Sequence, residues 1–76
     1  MPIAFVLVNT ETGSESEVLG ALKKIDAMQE AYMVFGVYDV VAKVEADTVD
    51  KLKEIITWHV RRLDKVRSTL TMLVTQ

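Results

Sequence analysis

The spacing of apolar residues divides the chain into strand-like and helix-like segments. Residues 3–8 are apolar at every position, which predicts a strand that is covered on both faces. Residues 31–35, 38–45 and 67–75 are rich in β-branched and aromatic side chains, which predicts three further strands. Alternation places one set of side chains on each face of the later strands. The apolar residues that share one face of their strand are Val40, Ala42 and Val44 in the third strand, and Leu70, Met72 and Val74 in the fourth.

Helical spacing appears twice between these strands. The first helix is predicted over residues 15–26, and Ser14 followed by Glu17 predicts a capping box at its start. The second helix is predicted to begin after a cap at Asp47 or Thr48. Its apolar stripe sets the side that faces the sheet. The stripe residues are Val18, Ala21, Leu22 and Ile25 in the first helix, and Val49, Leu52, Ile56, Val60 and Leu63 in the second.

The resulting order, βαββαβ, predicts an α+β fold of the ferredoxin-like type. Its four-stranded antiparallel sheet carries both helices on one face, with the first and third strands in the centre. The chain has 76 residues, so residues 1–76 form a single domain. Because the first strand is apolar on both faces, we expect two copies to pack through their sheets as a dimeric α+β barrel.

Composition removes several classes of function. The net charge is −2 with mixed signs, whereas nucleic-acid binding usually requires a basic imbalance. The chain contains no cysteine, which excludes disulfides, thiolate metal sites and cysteine nucleophiles. The apolar run at residues 3–8 is too short for a membrane span and lacks the pattern of a signal peptide. We therefore expect a cytoplasmic protein that contacts neither DNA nor a membrane directly.

Few side chains suggest catalysis. Trp58 and His59 are adjacent on the second helix, so they point about 100° apart, and the chain has one histidine. We expect no catalytic residue, no metal and no cofactor, although a small monooxygenase-like enzyme and a purely structural oligomer remain alternatives. A basic group at residues 61–67 is either a solvated helix end or a contact surface.

Residues 34–39 join two predicted strands and contain Gly36, Tyr38 and Asp39. Glycine permits a tight turn or the close approach of another group. Asp39 can cap the turn by accepting a backbone N–H, and Tyr38 can be an ordinary strand aromatic. These roles explain each residue separately, without a ligand.

The wider pattern resembles a known family. Gly36-x-Tyr38-Asp39, the strand and helix that follow, and Val66-x-x-Thr69-x-Thr71 resemble the ligand-binding (RAM) domain of the Lrp/AsnC regulators over residues 3–74. The family often has Pro-Gly before the last strand, where this chain has Asp64 and Lys65. Members usually carry an N-terminal helix-turn-helix that binds DNA. This chain begins at the first strand, so we expect a stand-alone sensor.

The resemblance implies transcription regulation through an amino-acid ligand. It implies sheet-to-sheet dimers that assemble into rings, often octamers, and full-length Lrp/AsnC regulators as partners. Asp39 would accept the ligand ammonium, and backbone N–H groups from Gly36 to Tyr38 would bind its carboxylate. The hydroxyls of Thr69 and Thr71 would bind either end of the ligand. Its side chain would pack against Met33, Tyr38 and Leu73.

Overall fold

A computed structural model describes residues 1–75 and has the predicted ferredoxin-like order. The four strands form one antiparallel sheet in the order β2-β3-β1-β4, so the first and third strands are central, as predicted. No helix within residues 1–75 is long and apolar enough to cross a membrane. The elements are β1 (Ile3–Thr10), α1 (Glu15–Lys23), β2 (Met28–Met33), β3 (Val40–Glu45), α2 (Val49–Ile55), a π-helical turn (Ile56–Val60) and β4 (Val66–Leu73).

The core lies between the helices and one face of the sheet. Alternate residues of β1 and β3 point into it, with Val6 paired to Ala42 and Val8 paired to Val40. Burying a valine or leucine side chain stabilises the fold by about 1.5–3 kcal/mol, so this layer supplies most of the driving force. The fully buried residues are Ala4, Val6 and Val8 in β1, Val40, Ala42 and Val44 in β3, and Val18, Leu22, Leu52 and Val60 in the helices.

The second helix has a side-chain cap at its start and changes from an α to a π turn along its length. Of the two predicted caps, Thr48 is confirmed, since its hydroxyl accepts the Lys51 N–H at 3.1 Å. After Ile55 the helix widens into a π turn, in which the Arg61 N–H donates to the Ile56 carbonyl at 2.9 Å. A π turn holds more residues than an α turn, which uses 3.6.

This widening keeps the apolar stripe on the sheet. Leu52, Ile56 and Val60 are four residues apart, and a regular α-helix would rotate the stripe by about 40° at each step. The π turn reverses part of that rotation, and all three residues are buried. Val49 was predicted in the stripe, but it is exposed because it lies in the first helical turn, away from the core.

The first helix departs from prediction at both ends. Ser14 occupies the N-cap position without a side-chain hydrogen bond within the described chain, so the predicted capping box is wrong. The helix ends at Lys23 and not at residue 26. Its last turn tightens, because the Lys24 and Ile25 N–H groups bond to carbonyls three residues earlier.

Tertiary pairing also moves the strand ends. β1 continues two residues further than predicted, because Asn9 pairs with Ser68 and Thr10 pairs with Val66 across a bulge. β2 starts three residues early and ends two early, since Met28 pairs with Val44 while residues 34 and 35 leave the sheet. β3 begins only at residue 40, and β4 covers residues 66–73.

The open face of the sheet is apolar on one side and polar on the other. Phe5 and Leu7 of β1 lie beside Met72 and Leu70 of β4, respectively. On the β2 side, three polar groups meet. The Tyr32 hydroxyl donates to the Glu30 carboxylate, and the Lys43 ammonium lies 3.6 Å from the other Glu30 oxygen. The hydrogen bond from Tyr32, aided by the charge of Lys43, lowers the pKa of Glu30, while the same bond raises the pKa of Tyr32.

Lys65 has a backbone conformation that usually belongs to glycine. Its φ is +74°, in the left-handed region, where a Cβ crowds the following carbonyl at a cost of about 1–2 kcal/mol. Its own carbonyl accepts the Glu11 N–H at 2.8 Å, which holds the turn against the end of β1. Lys65 stands where the Lrp/AsnC pattern often has the glycine of Pro-Gly, and glycine adopts this conformation without a Cβ penalty.

Replacing Lys65 with glycine should therefore stabilise the domain. Relief of the Cβ strain outweighs the entropy cost of glycine, for a net gain of about 0.5–1 kcal/mol. The thermal unfolding temperature should rise by about 2–8 °C for a domain of this size. Lys24→Gly is the matched control, because Lys24 has a φ of −84° and should lose stability. Equal effects of the two substitutions would contradict a strained Lys65.

Candidate functional site

The loop at residues 34–39, hereafter the 34–39 loop, is fixed at its base and open at its tip. The Val34 N–H donates to the Asp39 carbonyl at 2.9 Å, and the Asp39 N–H donates to the Val8 carbonyl at 3.0 Å. These bonds place Asp39 beside the end of β1. Phe35 and Val37 at the tip are almost wholly exposed.

The Asp39 carboxylate bonds to the end of β1. Its Oδ2 atom accepts the Thr10 N–H at 2.8 Å and the Thr10 hydroxyl at 3.3 Å. Thr10 is only 4% exposed, so these groups would be costly to leave unpaired. Asp39 thus accepts a backbone N–H, but that of Thr10, 29 positions away in β1, and not one within its own turn as the predicted turn cap requires. Both bonds use Oδ2, which leaves Oδ1 with no hydrogen bond among the described residues.

A cleft of about 410 Å³ lies against Asp39. Asp39 and Glu15 bring negative charge to it, and Arg67 brings positive charge. The Asn9 side-chain amide donates to the Ser68 hydroxyl at 3.3 Å on its wall. A cleft with separate anionic and cationic groups has the chemistry to bind a zwitterion by charge-assisted hydrogen bonds. The lining residues are Asn9, Thr10, Thr12, Glu15, Asp39, Arg67 and Ser68.

Of the seven predicted site residues, only Asp39 lines this cleft. Tyr38 precedes it in the loop and is half-buried. Gly36 has no positive φ, and no atom of the described chain lies within 4 Å of the position a Cβ would occupy. Neither a tight turn nor a close contact within one chain requires glycine here.

The other predicted residues lie elsewhere. Thr69 and Thr71 line a separate groove between α2 and β4. Leu73 pairs with Ala4, near the opposite end of β1 from Thr10, so it lies about 20 Å along the strand from the level of Asp39. Met33 ends β2 and is half exposed. Within one chain the seven residues do not converge, and their joint role stays a prediction.

Glu15 and Arg67 were not predicted as site residues. In the sequence, Arg67 lies in the basic group at residues 61–67, and Glu15 lies at the predicted start of the first helix. The strand order could have indicated them, because a last strand that pairs antiparallel with the first must begin near the point where the first strand ends. The turn-rich residues 9–13 and the start of β4 therefore face each other.

Trp58 and His59 form no catalytic arrangement. Both are exposed, and the Arg62 guanidinium stacks 4.9 Å from the centre of the Trp58 ring. Such a cation–π contact at an exposed site contributes about 0.5–1 kcal/mol. Among residues 1–75, no group of His, Asp and Glu is placed to hold a metal ion.

Comparison with known proteins identifies the family of this domain. The family model described as the Lrp/AsnC ligand binding domain matches residues 3–76. The chain belongs to the Lrp/AsnC ligand-binding domain family. This finding confirms the resemblance seen in the sequence.

The relatives of this Lrp/AsnC domain are regulators. It is 32% identical over 72 residues to the HTH-type transcriptional regulator FL11 of Pyrococcus furiosus, covering 95% of this chain and 47% of FL11. It is 31% identical over 58 residues to the regulatory protein AsnC of Shigella flexneri, covering 76% of this chain and 38% of AsnC. The chain thus spans less than half the length of these curated relatives.

A solved structure of similar length has the same fold. The crystal structure of FFRP-DM1 matches this Lrp/AsnC domain with a TM-score of 0.93 and 39% identity. The match covers 97% of this chain and 99% of FFRP-DM1. The ferredoxin-like architecture is therefore shared along nearly the whole chain.

The two roles of Asp39 can be separated by substitution. Asp39→Ala should destabilise the domain by about 1–3 kcal/mol, because the buried Thr10 N–H loses its acceptor. Asp39→Asn keeps an acceptor oxygen and should retain most of that stability, measured by chemical denaturation. If both variants were as stable as the parent, the bond to Thr10 would have no role in holding the loop.

Proposed function

We propose that this Lrp/AsnC domain binds a free amino acid and converts binding into a change of assembly that serves transcription regulation. The supporting observation is the cleft that Asp39, Glu15 and Arg67 line together. A free amino acid carries one ammonium and one carboxylate, so it matches this pair of charges. Membership of a regulator family with a ligand-binding domain supports the same function.

Each end of the ligand has a candidate partner within one chain. The ammonium donates to the free Oδ1 of Asp39, while Oδ2 keeps its bonds to Thr10. The carboxylate accepts from the Arg67 guanidinium, which can present two parallel N–H groups. This arrangement leaves the bond that anchors the loop in place during binding.

Other copies of the chain complete the site. The 34–39 loop projects Phe35 and Val37 into solvent, which is unfavourable unless another surface covers them. Gly36 lies between them with open space around it, so a neighbouring copy or its ligand can approach the backbone. The separate positions of Met33, Leu73 and the two threonines also fit a site assembled from more than one copy.

The open face of the sheet supplies the first interface. Phe5, Leu7, Leu70 and Met72 lie together there and are partly exposed. Two such faces packed together bury this apolar surface and give the predicted dimer. The 34–39 loops then join dimers into a ring, for which an octamer is the expected size.

Ligand binding changes assembly through its preference for one state. A ligand that touches two dimers stabilises the ring in proportion to its occupancy. Co-assembly with full-length Lrp/AsnC regulators would carry this change to DNA, although the sensor itself has no basic surface imbalance. On this basis the protein is a regulatory module and not an enzyme.

A screen of the twenty amino acids tests the proposed ligand. At about 100 times the dissociation constant, a true ligand should add roughly 2.7 kcal/mol of stability per site and raise the unfolding temperature by several degrees. Size exclusion with light scattering on each hit should show a changed assembly. The N-acetylated amide of the same amino acid, which lacks both charges, should have no effect.

Variants assign the binding to the cleft. Asp39→Asn should weaken binding about 10- to 100-fold while the protein stays folded. Absence of a thermal shift with every amino acid, on a well-formed dimer, would reject sensing. Turnover or cofactor colour in the purified protein would then favour the small enzyme, and their absence a structural oligomer.

Leu70→Glu tests the sheet interface. A charge in the centre of two packed apolar faces should weaken the dimer roughly 100-fold or more, measured by sedimentation at micromolar concentration. Val49→Glu is the control, because Val49 is also partly exposed but lies on the helical side. A parent protein that sediments as a monomer would refute dimerisation through the sheet.

A further inference from the structure

A basic groove runs along the outer edge of β4, beside α2 and the π turn. One part of about 390 Å³ reaches from Lys53 to Thr71, and a second of about 280 Å³ reaches from Val66 to Ser68. Arg61 and Thr69 line both parts, so the two are continuous. We call this surface the β4 groove.

The β4 groove differs in charge from the rest of the chain. Lys53, Arg61 and Arg67 line it, and none of its lining residues in the described chain is acidic. The whole sequence has eleven acidic and nine basic residues, so a carboxylate-free surface with three cations is a local concentration of charge. The two described ion pairs, Lys43–Glu30 and Lys51–Glu54, involve none of these cations.

The groove also exposes backbone hydrogen-bonding groups. The Val74 N–H donates to the Ile3 carbonyl at 2.9 Å, and residues alternate in direction along an antiparallel pair. Met72 and Leu70 therefore bond to β1, while Thr71 and Thr69 present their N–H and C=O groups to the outer edge. No strand of the described chain pairs with that edge.

The cations beside the outer edge of β4 determine which kind of strand can pair with that edge. Cations beside an exposed edge oppose pairing between identical edges, because two copies would bring Lys53, Arg61 and Arg67 against the same three cations. An acidic strand is instead attracted to these cations. Its backbone continues the sheet, and its alternate side chains point toward the cations.

We propose that the β4 groove binds an extended acidic peptide segment of a partner protein, which adds to the sheet as a fifth strand. Backbone bonds to Thr69 and Thr71 hold the segment, and carboxylates at alternate positions pair with Arg61 and Lys53. Lys53 and Arg61, which pair with the peptide, do not line the Asp39 cleft, whereas Arg67 borders both surfaces. The proposal assigns the basic group at residues 61–67 to the binding of an acidic protein segment.

Fluorescence anisotropy with the full chain tests the charge requirement. The probe is a labelled peptide, Thr-Glu-Val-Glu-Thr-Glu-Val, compared with its glutamine counterpart, Thr-Gln-Val-Gln-Thr-Gln-Val. The acidic peptide should bind at least 10-fold more tightly at low salt, and its advantage should shrink as salt screens the charges. Equal affinity of the two peptides would overturn the proposal.

Variants locate the binding. Lys53→Gln with Arg61→Gln should together weaken the acidic peptide about 10-fold or more. Lys23→Gln, which removes an exposed cation from α1, is the control and should have no effect. A loss of the same size in the control would show non-specific attraction and reject the groove.

Amide hydrogen exchange tests the added strand. Bound peptide should slow exchange at Thr69 and Thr71, while Leu70 and Met72 should change little, since they already bond to β1. Acid-specific binding without this protection would reject strand addition. Protection of Thr69 and Thr71 that grows with protein concentration alone would assign the edge to a second copy and also overturn the proposal.

Discussion

Two helices can cover only one side of a four-stranded sheet, and the rest of this structure depends on that constraint. The covered side contains nearly all of the buried core, built from alternate residues of β1 and β3. The other side retains Phe5, Leu7, Leu70 and Met72 with partial exposure. A domain of this size buries only about 60% of its unfolded surface, so its own core leaves little stability to spare. The proposed dimer would cover this second side.

Asp39 connects the fold to the proposed chemistry. One carboxylate oxygen accepts a buried backbone N–H at the end of β1, and Asp39 also lines a cleft together with Arg67. The observed structural role and the proposed ligand-binding role of Asp39 are therefore compatible, because they use different atoms of the same carboxylate. In the proposed site, the bond to Thr10 would fix the carboxylate before a ligand arrives and so lower the entropy cost of binding.

The sequence allowed the element order, the central strands and the buried faces to be predicted, because period-two alternation in β3 and helical spacing in α1 are local patterns. The ends of β2 could not be read locally, since the pairing of Met28 with Val44 decides them and Phe35 is as strand-like as its neighbours. Ser14 has the right residue type for a cap but makes no cap bond. The motif points to Asp39, whereas Arg67 comes to line the same cleft only because β4 pairs with β1.

The π turn at the end of α2 also affects how the chain can change length. Losing one residue at positions 57–59 would convert the wide turn into an ordinary α turn without breaking the helix, whereas a deletion inside α1 would rotate every later side chain by about 100°. The π turn is therefore the point in the second helix where a loss of one residue is absorbed by a change of turn type.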